Sequence, residues 1–250
     1  MPGNVLQYVV SGVAIGAIYA LVALGFVLIF KATEVVNFAQ GELMMIGAFL
    51  SLTFINVLQL SYWVAFLLTL ACMAVFGVVL NWAIISPMVG EPTFSIVMVT
   101  IGFGTLARSV VSMMPGWGTD TYGFKTPFAD KNLRVSGVVV SWEHLSIISI
   151  TLVAVLVFYL FFKFTRVGVA LQATAQNQLA AVYMGISIKR VFAIAWAISA
   201  VMAGVAGILL APITFVHMNM GFIGLKAFPA AVLGGFGSIP GRSSAASSSA

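Results

Sequence analysis

The sequence predicts an all-α fold, a polytopic transmembrane helical bundle, and three observations carry that prediction. Only 7% of its 250 residues are charged and 62% are hydrophobic, whereas a soluble domain carries about 25% charged residues. The mean hydropathy is +1.14. The apolar residues also fall in runs long enough for a helix to cross a bilayer, about 20 residues, and too long and uniform to be the alternating strands of a barrel.

Taken in chain order, apolar length and breakers predict spans near 5–30, 43–60, 62–86, 94–114, 145–163 and 190–212, with a seventh beginning near Lys226. The first run is not a cleavable signal, because it exceeds a signal core and has no basic flank before it. Pro87 and Pro92 bracket the break between the third and fourth spans. Pro115 is expected to end the fourth and Pro212 the sixth, since proline removes a backbone donor and clashes with the preceding turn.

The long polar connection 115–144 holds Asp120, Lys125, Asp130, Lys131, Arg134 and Glu143, whose charges nearly cancel. The connection 163–190 holds Lys163, Arg166, Lys189 and Arg190 and no acidic residue. The positive-inside rule therefore makes it cytoplasmic, and counting crossings back puts the N-terminus outside and KATEVVNFAQGE inside. The expected organisation is a transmembrane domain over 1–241, with an extracytoplasmic loop at about 115–144 and a cytoplasmic loop at about 164–189. The remaining 242–250, within RSSAASSSA, is low-complexity and cannot span a membrane. Lys226 to Pro240 is too short for a full crossing, so the chain is expected to be truncated or altered at its end.

The eleven Lys and Arg are scattered and flank apolar runs, which fits anchoring against membrane lipid and gives no reason to expect nucleic acid. The single cysteine, Cys72, excludes a disulfide framework, and His144 and His217 are isolated, so no metal or other cofactor is expected. There is no GxxxxGK[ST], and GGFGSIPG lacks the lysine that phosphate binding needs, so any ATP hydrolysis must come from another polypeptide. Gly12 with Gly16, and Ala203 with Gly207, have the spacing of ordinary helix packing. Arg108 has no carboxylate near it in sequence and is expected to snorkel to the interface.

Two segments break the apolar monotony. KATEVVNFAQGELMM, residues 31–45, sets Glu34, Asn37, Gln40 and Glu42 between two spans. Charges at the bilayer centre cost a few kcal/mol, so these residues belong at the interface or along a protein-lined path. Asn37 with Gln40 has the form of a capping box, which would start the second helix at Asn37 and put Glu42 near its positive end. A capped polar turn explains this much. Gly41 and Gly47, which permit close backbone approach, also suit the Gly-interrupted segments that line transporter paths. The second segment, residues 165–190, is too rich in Gln and Asn to span a membrane but reads as a helix capped by Thr165 and ended by Gly185. Ala170, Ala173, Ala180 and Ala181 give it a shallow surface for a partner. A weak internal repeat relates VVNFAQGELMMIGAF to HMNMGFIGLKAFPAAVLGGF.

GAIYALVALGFVLIFKATEVVNFAQGELMMIGAF resembles the N-terminal signature of the branched-chain amino acid ABC transporter permeases, the LivH-like branch of binding-protein-dependent permeases. The family more often has His where Gln40 stands, so no pH-dependent role is expected there. Residues 165–190 resemble its cytoplasmic loop, with Thr165, Gly168, Ala173, Ala180, Ala181, Gly185 and Ile186 matching and Gln172 in place of an Arg. A salt bridge from that Arg to the ATPase subunit therefore has no cation in this chain. A third block, GLKAFPAAVLGGFGSIPG at 224–241, resembles the family's next Gly-rich half-span.

The resemblance implies a non-enzymatic permease subunit in a bacterial inner membrane. Its partners would be ABC ATPase subunits, a second homologous permease subunit and an extracytoplasmic substrate-binding protein. It implies that Asn37, Phe38, Gln40, Gly41 and Glu42 lie near the substrate path. It also makes Thr165, Gly168, Gln172, Ala173, Ala180, Ala181 and Gly185 the element that docks the ATPase. Related urea or short-amide permeases share the VNFAQGE-type block, and residue identities do not choose between substrates. A stand-alone secondary transporter or channel would want acidic or His residues within its spans, and outside the Glu34/Glu42 segment there are none. A non-transporting membrane scaffold has only the unusual C-terminal end to recommend it.

Overall fold

The computed structural model describes residues 2–88, 90–129, 132–135 and 138–234. The third block beyond residue 234 and the tail at 242–250 lie outside the described residues. Among these residues, six helices are long and apolar enough to cross a membrane. They are α1 (Pro2–Thr33), α2 (Gln40–Leu52) extended by a π-helical turn to Val57, α3 (Tyr62–Leu80) extended to Met88, α4 (Thr93–Met113), α5 (Trp142–Phe164) and α8 (Ile188–Thr214). Each bound lies within three residues of the sequence-based expectation. The short helices are α6 (Arg166–Gln176), α7 (Gln178–Tyr183), α9 (Met220–Leu225) and α10 (Phe228–Leu233), and a hairpin of β1 (Asn132–Val135) and β2 (Val138–Ser141) sits in the long loop.

Prolines act as the sequence suggests, with one exception. Pro92 precedes α4 and Pro115 follows its end, but Pro212 lies inside α8, which continues to Thr214. Pro212 has no N–H to donate to the preceding turn, and α8 ends two residues beyond it.

The bundle is built around α8, which packs against α1, α2 and α3 and is the most buried of the spans, while α5 is the least. Small residues set the distance between α2 and α8. A Cβ at Gly47 would come 2.6 Å from Gly204 Cα, so the two backbones are in direct contact. Without a hydrophobic driving force inside a bilayer, close backbone packing of this kind is what holds helices together. The Ala203/Gly207 face of α8 is spent in this way, against α2 near Met44. The Gly12/Gly16 face of α1 is open, with nothing within 4 Å of either added Cβ.

Helix ends gather on two faces. On one, Trp117 Nε1 donates to Thr53 Oγ1 at 2.8 Å, Asn56 Nδ2 donates to the Gly123 carbonyl at 3.1 Å, and Tyr122 exchanges backbone bonds with Val216 at 2.9 and 2.7 Å. On the other, Thr33, Glu34, Gly90, Glu91 and Gln178 surround one cavity of about 160 Å³. The connections at 58–61, 115–129 and 215–218 thus oppose those at 34–36, 90–92 and 165–187, as alternating crossings require.

After α8 the chain turns back into the bundle. The helix α9 packs on the start of α2, and Phe228 of α10 touches Phe26 and Phe38, with ring centroids 5.7 and 5.5 Å away. The expected seventh span, beginning near Lys226, is therefore over its described part the short helix α10, which follows α9 as the chain dips in from the face α8 reaches.

Candidate functional site

The stretch between α1 and α2 is folded by its own polar side chains. Glu34 adopts φ 58° and turns the chain, a conformation non-glycine residues rarely take. Asn37 Oδ1 then accepts from the Ala39 backbone N–H at 3.0 Å, an Asx-type turn, and its Nδ2 donates to Gln40 Oε1 at 3.3 Å. The helix starts at Gln40 rather than at Asn37, and its N-cap position is Ala39, with no side-chain cap. Asn37 and Gln40 do bond each other as a capping box would have them near, but side chain to side chain.

Both amides are fully buried. Gln40 reaches α8, where its Nε2 donates to the Ser199 carbonyl at 3.2 Å, and Ser199 Oγ lies 2.9 Å from Gln40 Oε1 and 3.1 Å from the Gly25 carbonyl. Any side chain at Gly25 would overlap the Gln40 amide. Gln40 is thus a fixed cross-link between α1, α2 and α8. Phe38 is half-buried, and its N–H donates to Thr100 Oγ1 of α4 at 3.3 Å.

Two residues on, Glu42 is 2% exposed and forms an ion pair with Arg108 of α4. This corrects the expectation that Arg108 snorkels alone. A carboxylate on the third residue of α2 also meets the positive end of that helix. The guanidinium carbon stacks 4.2 Å over the Phe222 ring of α9, so the pair joins α2, α4 and α9. Glycines make room for the carboxylate on both sides, since added Cβ atoms would lie 3.4 Å from Glu42 Cδ at Gly104 and 2.8 Å from its Oε1 at Gly221. A side chain at Gly41 would strike the Gly221 carbonyl, and one at Gly224 would come 2.6 Å from Gly41 Cα. The two segments of the weak internal repeat therefore pack directly on each other.

Arg108 retains 26% exposure of its side chain, and Phe222 is exposed. Beside them Gly102, Thr105 and Ser109 occupy one open face of α4, and both hydroxyls are satisfied by their own helix, Thr105 to the Ile101 carbonyl and Ser109 to that of Thr105. Polar faces on membrane spans normally turn toward protein or a water-filled path.

The second segment hangs from the face where the α1–α2 connection begins, and Gln178 shares a cavity with Thr33 and Glu34. Thr165 Oγ1 accepts from Gly168 N at 2.9 Å and caps α6, as expected. Gly168 is wedged against α5, where a Cβ would come 2.6 Å from the Phe161 carbonyl oxygen. Gln172 Nε2 donates to the Phe162 carbonyl at 3.0 Å, so the residue that replaces the expected Arg ties α6 to the end of α5. The single helix expected here is two. Asn177, in extended backbone, ends α6 and caps α7 by accepting from Ala180 N at 2.9 Å. Gly185, at φ 81°, closes α7. Ala173 is half-buried, Ala181 is buried and Ala180 is exposed. What projects is larger, with Leu179, Tyr183 and Met184 between 72% and 87% exposed.

Sequence reasoning missed the pairing of Arg108 with Glu42, the roles of Thr100 and Ser199, and this projecting trio. The long-range partners carry no local signal, but Leu179, Tyr183 and Met184 stood as apolar residues in a segment too polar to be a span.

The profile of the family described as branched-chain amino acid transport system / permease component matches residues 8–246. The chain is 29% identical to the high-affinity branched-chain amino acid transport system permease protein BraD of Pseudomonas aeruginosa, over 94% of this chain and 81% of that protein. It is 30% identical to the LivH protein of the same description in Escherichia coli K12, over 94% and 80%. It is 26% identical to a probable branched-chain amino acid transport permease protein LivH of Methanocaldococcus jannaschii, over 88% and 71%. No solved structure matches the chain. A profile match over nearly the whole bundle, together with relatives aligned across the same spans, places this multi-pass membrane protein in the family of branched-chain amino acid transport system permease components.

Proposed function

We propose that the chain is the permease subunit of an ATP-driven importer that carries branched-chain or related amino acids across the inner membrane. The observation that carries this reading is the α6–α7 element, anchored to α5 through Gly168 and Gln172 while it presents exposed Leu179, Tyr183 and Met184. A protruding apolar knob on a polar connection is the kind of surface a partner covers. Here that partner is the ATPase, whose cycle biases two arrangements of the bundle through this contact. An extracytoplasmic binding protein delivers the amino acid to the opposite face. The chain itself performs no covalent chemistry.

The substrate path runs beside α2, α4 and α9, where Asn37, Gln40, Gly41 and Glu42 form the buried wall and Phe38, Arg108 and Phe222 reach its edge. The open face of α4 with Gly102, Thr105 and Ser109 is where the second permease subunit closes the conduit. The names of the relatives favour amino acids over urea or short amides.

The test is uptake of labelled leucine in cells that carry the complete transport system with this chain as its permease. Uptake should be competed by isoleucine and valine, not by urea, and should vanish when residues 165–188 are deleted from a chain that still reaches the membrane. A chain that purifies alone and transports without a P-loop ATPase would overturn the reading.

A further inference from the structure

A cavity of about 480 Å³ lies not at the ion pair but behind the coupling element, between α1, α5 and α6. Its body is apolar, walled by Leu24, Leu28, Val155, Phe158 and Phe162 among others, and its polar atoms gather at one end, at Lys31, Tyr159, Gln172 and Gln176. The space is many times that needed for one water, and its apolar walls suit a hydrocarbon chain better than water.

The charge at its mouth is unbalanced. Lys31, half-buried, makes no ion pair or hydrogen bond among the described residues. Lys163 lies at the same end, its Nζ 3.3 Å from Tyr159 Oη and 5.5 Å from that ring's centroid. No carboxylate lines the cavity; Glu34, three residues after Lys31, faces the separate cavity with Glu91 and Gln178. The helix ends on this face carry five cations, Lys31, Lys163, Arg166, Lys189 and Arg190, against two carboxylates, Glu34 and Glu91. That makes it the cytoplasmic side, where anionic lipids meet basic pockets between spans. A second apolar crevice, between α3, α5 and α8, has a comparable volume of about 350 Å³ but no cation on its lining. It offers a lipid tail a place and a headgroup nothing to choose by.

From this pairing of an apolar slot with an unpaired lysine at its mouth, we propose that the α1–α5–α6 cavity is a binding site for one anionic phospholipid of the inner leaflet. An acyl chain fills the slot and the phosphate is held by Lys31, with Lys163 beside it. Because α6 forms one wall, the lipid braces the coupling element from behind, and the site is testable without reference to transport.

The experiment is native mass spectrometry of the purified full chain, titrated with dioleoyl phosphatidylglycerol or dioleoyl phosphatidylcholine. The first phosphatidylglycerol should bind about five-fold more tightly than phosphatidylcholine, the effect of one basic residue near an anionic surface. Lys31→Gln should bring the ratio close to one, Lys31→Arg should keep it, and Ala175→Trp, which fills the slot, should lower occupancy by both lipids. Retention of the preference in Lys31→Gln, or unchanged binding in a folded Ala175→Trp chain, would overturn the proposal. So would equal affinity of the unmodified chain for the two lipids, which would leave only a general acyl crevice.

Discussion

Glu42 and Arg108 are sixty-six residues apart in sequence and form an ion pair that joins the first turn of α2 to α4. The carboxylate is withdrawn from solvent and the Arg108 side chain is about a quarter exposed. Removing one partner of a buried pair leaves the other charge uncompensated, at a cost of about 3–5 kcal/mol, and the partial exposure of Arg108 puts this pair at the lower end. Glu42→Gln and Arg108→Met should each lower the thermal midpoint of the purified chain. The double variant should recover most of the loss, because two neutral side chains leave no charge stranded. Strictly additive single effects in this cycle would mean the pair is not coupled in the membrane-embedded protein.

The same pair depends on how closely α9 approaches α2. A methyl group at Gly41 has no free space, since the Gly221 carbonyl already fills it, and the neighbour is backbone that cannot rotate away. Gly41→Ala should cost about 1–3 kcal/mol by overpacking and should separate Phe222 from Arg108. Gly102→Ala, on the open face of α4, meets nothing within 4 Å and should leave the folded chain as stable as before. Thermal unfolding in detergent checks both, and equal behaviour of the two variants would remove the close approach as the cause.

Buried amides give a smaller and more local expectation. Gln40 bonds to Asn37 and to Ser199, and all three are buried. Replacing Gln40 by Leu keeps the volume but leaves the polar atoms of Asn37 and Ser199 short of partners, at about 1–3 kcal/mol. Adding Ser199→Ala to that variant should return little of the loss, since the Ser199 hydroxyl keeps the Gly25 carbonyl as an acceptor when Gln40 is gone. A thermal shift series on the two single variants and the double variant measures it.

How legible was this arrangement beforehand? The spans were, because a stretch of about 20 apolar residues has one use in a chain this poor in charge, and their bounds came within three residues. Local caps were legible too, as Thr165 and Gly185 show, since a cap is a contact across three or four residues. The start of α2 was misplaced because Asn37 spends its oxygen on Ala39 and its amide on the Gln40 side chain rather than on the helix end. The Glu42–Arg108 pair was hidden for a different reason. Hydropathy orders residues along one span and says nothing about which face of α4 turns toward α2. The break at Asn177 was hidden because alanine-rich flanks favour helix on both sides, and only the extended backbone at that residue separates them.

The projecting trio on α7 separates a docking role from a structural one. Tyr183 is 87% exposed and Met184 83%, so neither contributes much packing to the bundle. Substitutions at exposed positions away from caps and cores usually shift stability within about 0.5 kcal/mol. Tyr183→Asp and Met184→Asp should therefore leave expression and the thermal midpoint unchanged while placing a charge in whatever covers them. If that cover is the ATPase, its recovery with the chain should fall at least several-fold and leucine uptake should fall with it, because a contact core does not tolerate an unpaired carboxylate. Ala181→Asp is the contrasting variant, since Ala181 is 3% exposed and its replacement should damage the α7 fold itself. Undiminished ATPase recovery and uptake in the Tyr183 and Met184 variants would place such a contact elsewhere on this face, with the exposed edge of α6 around Val169 the next surface to test.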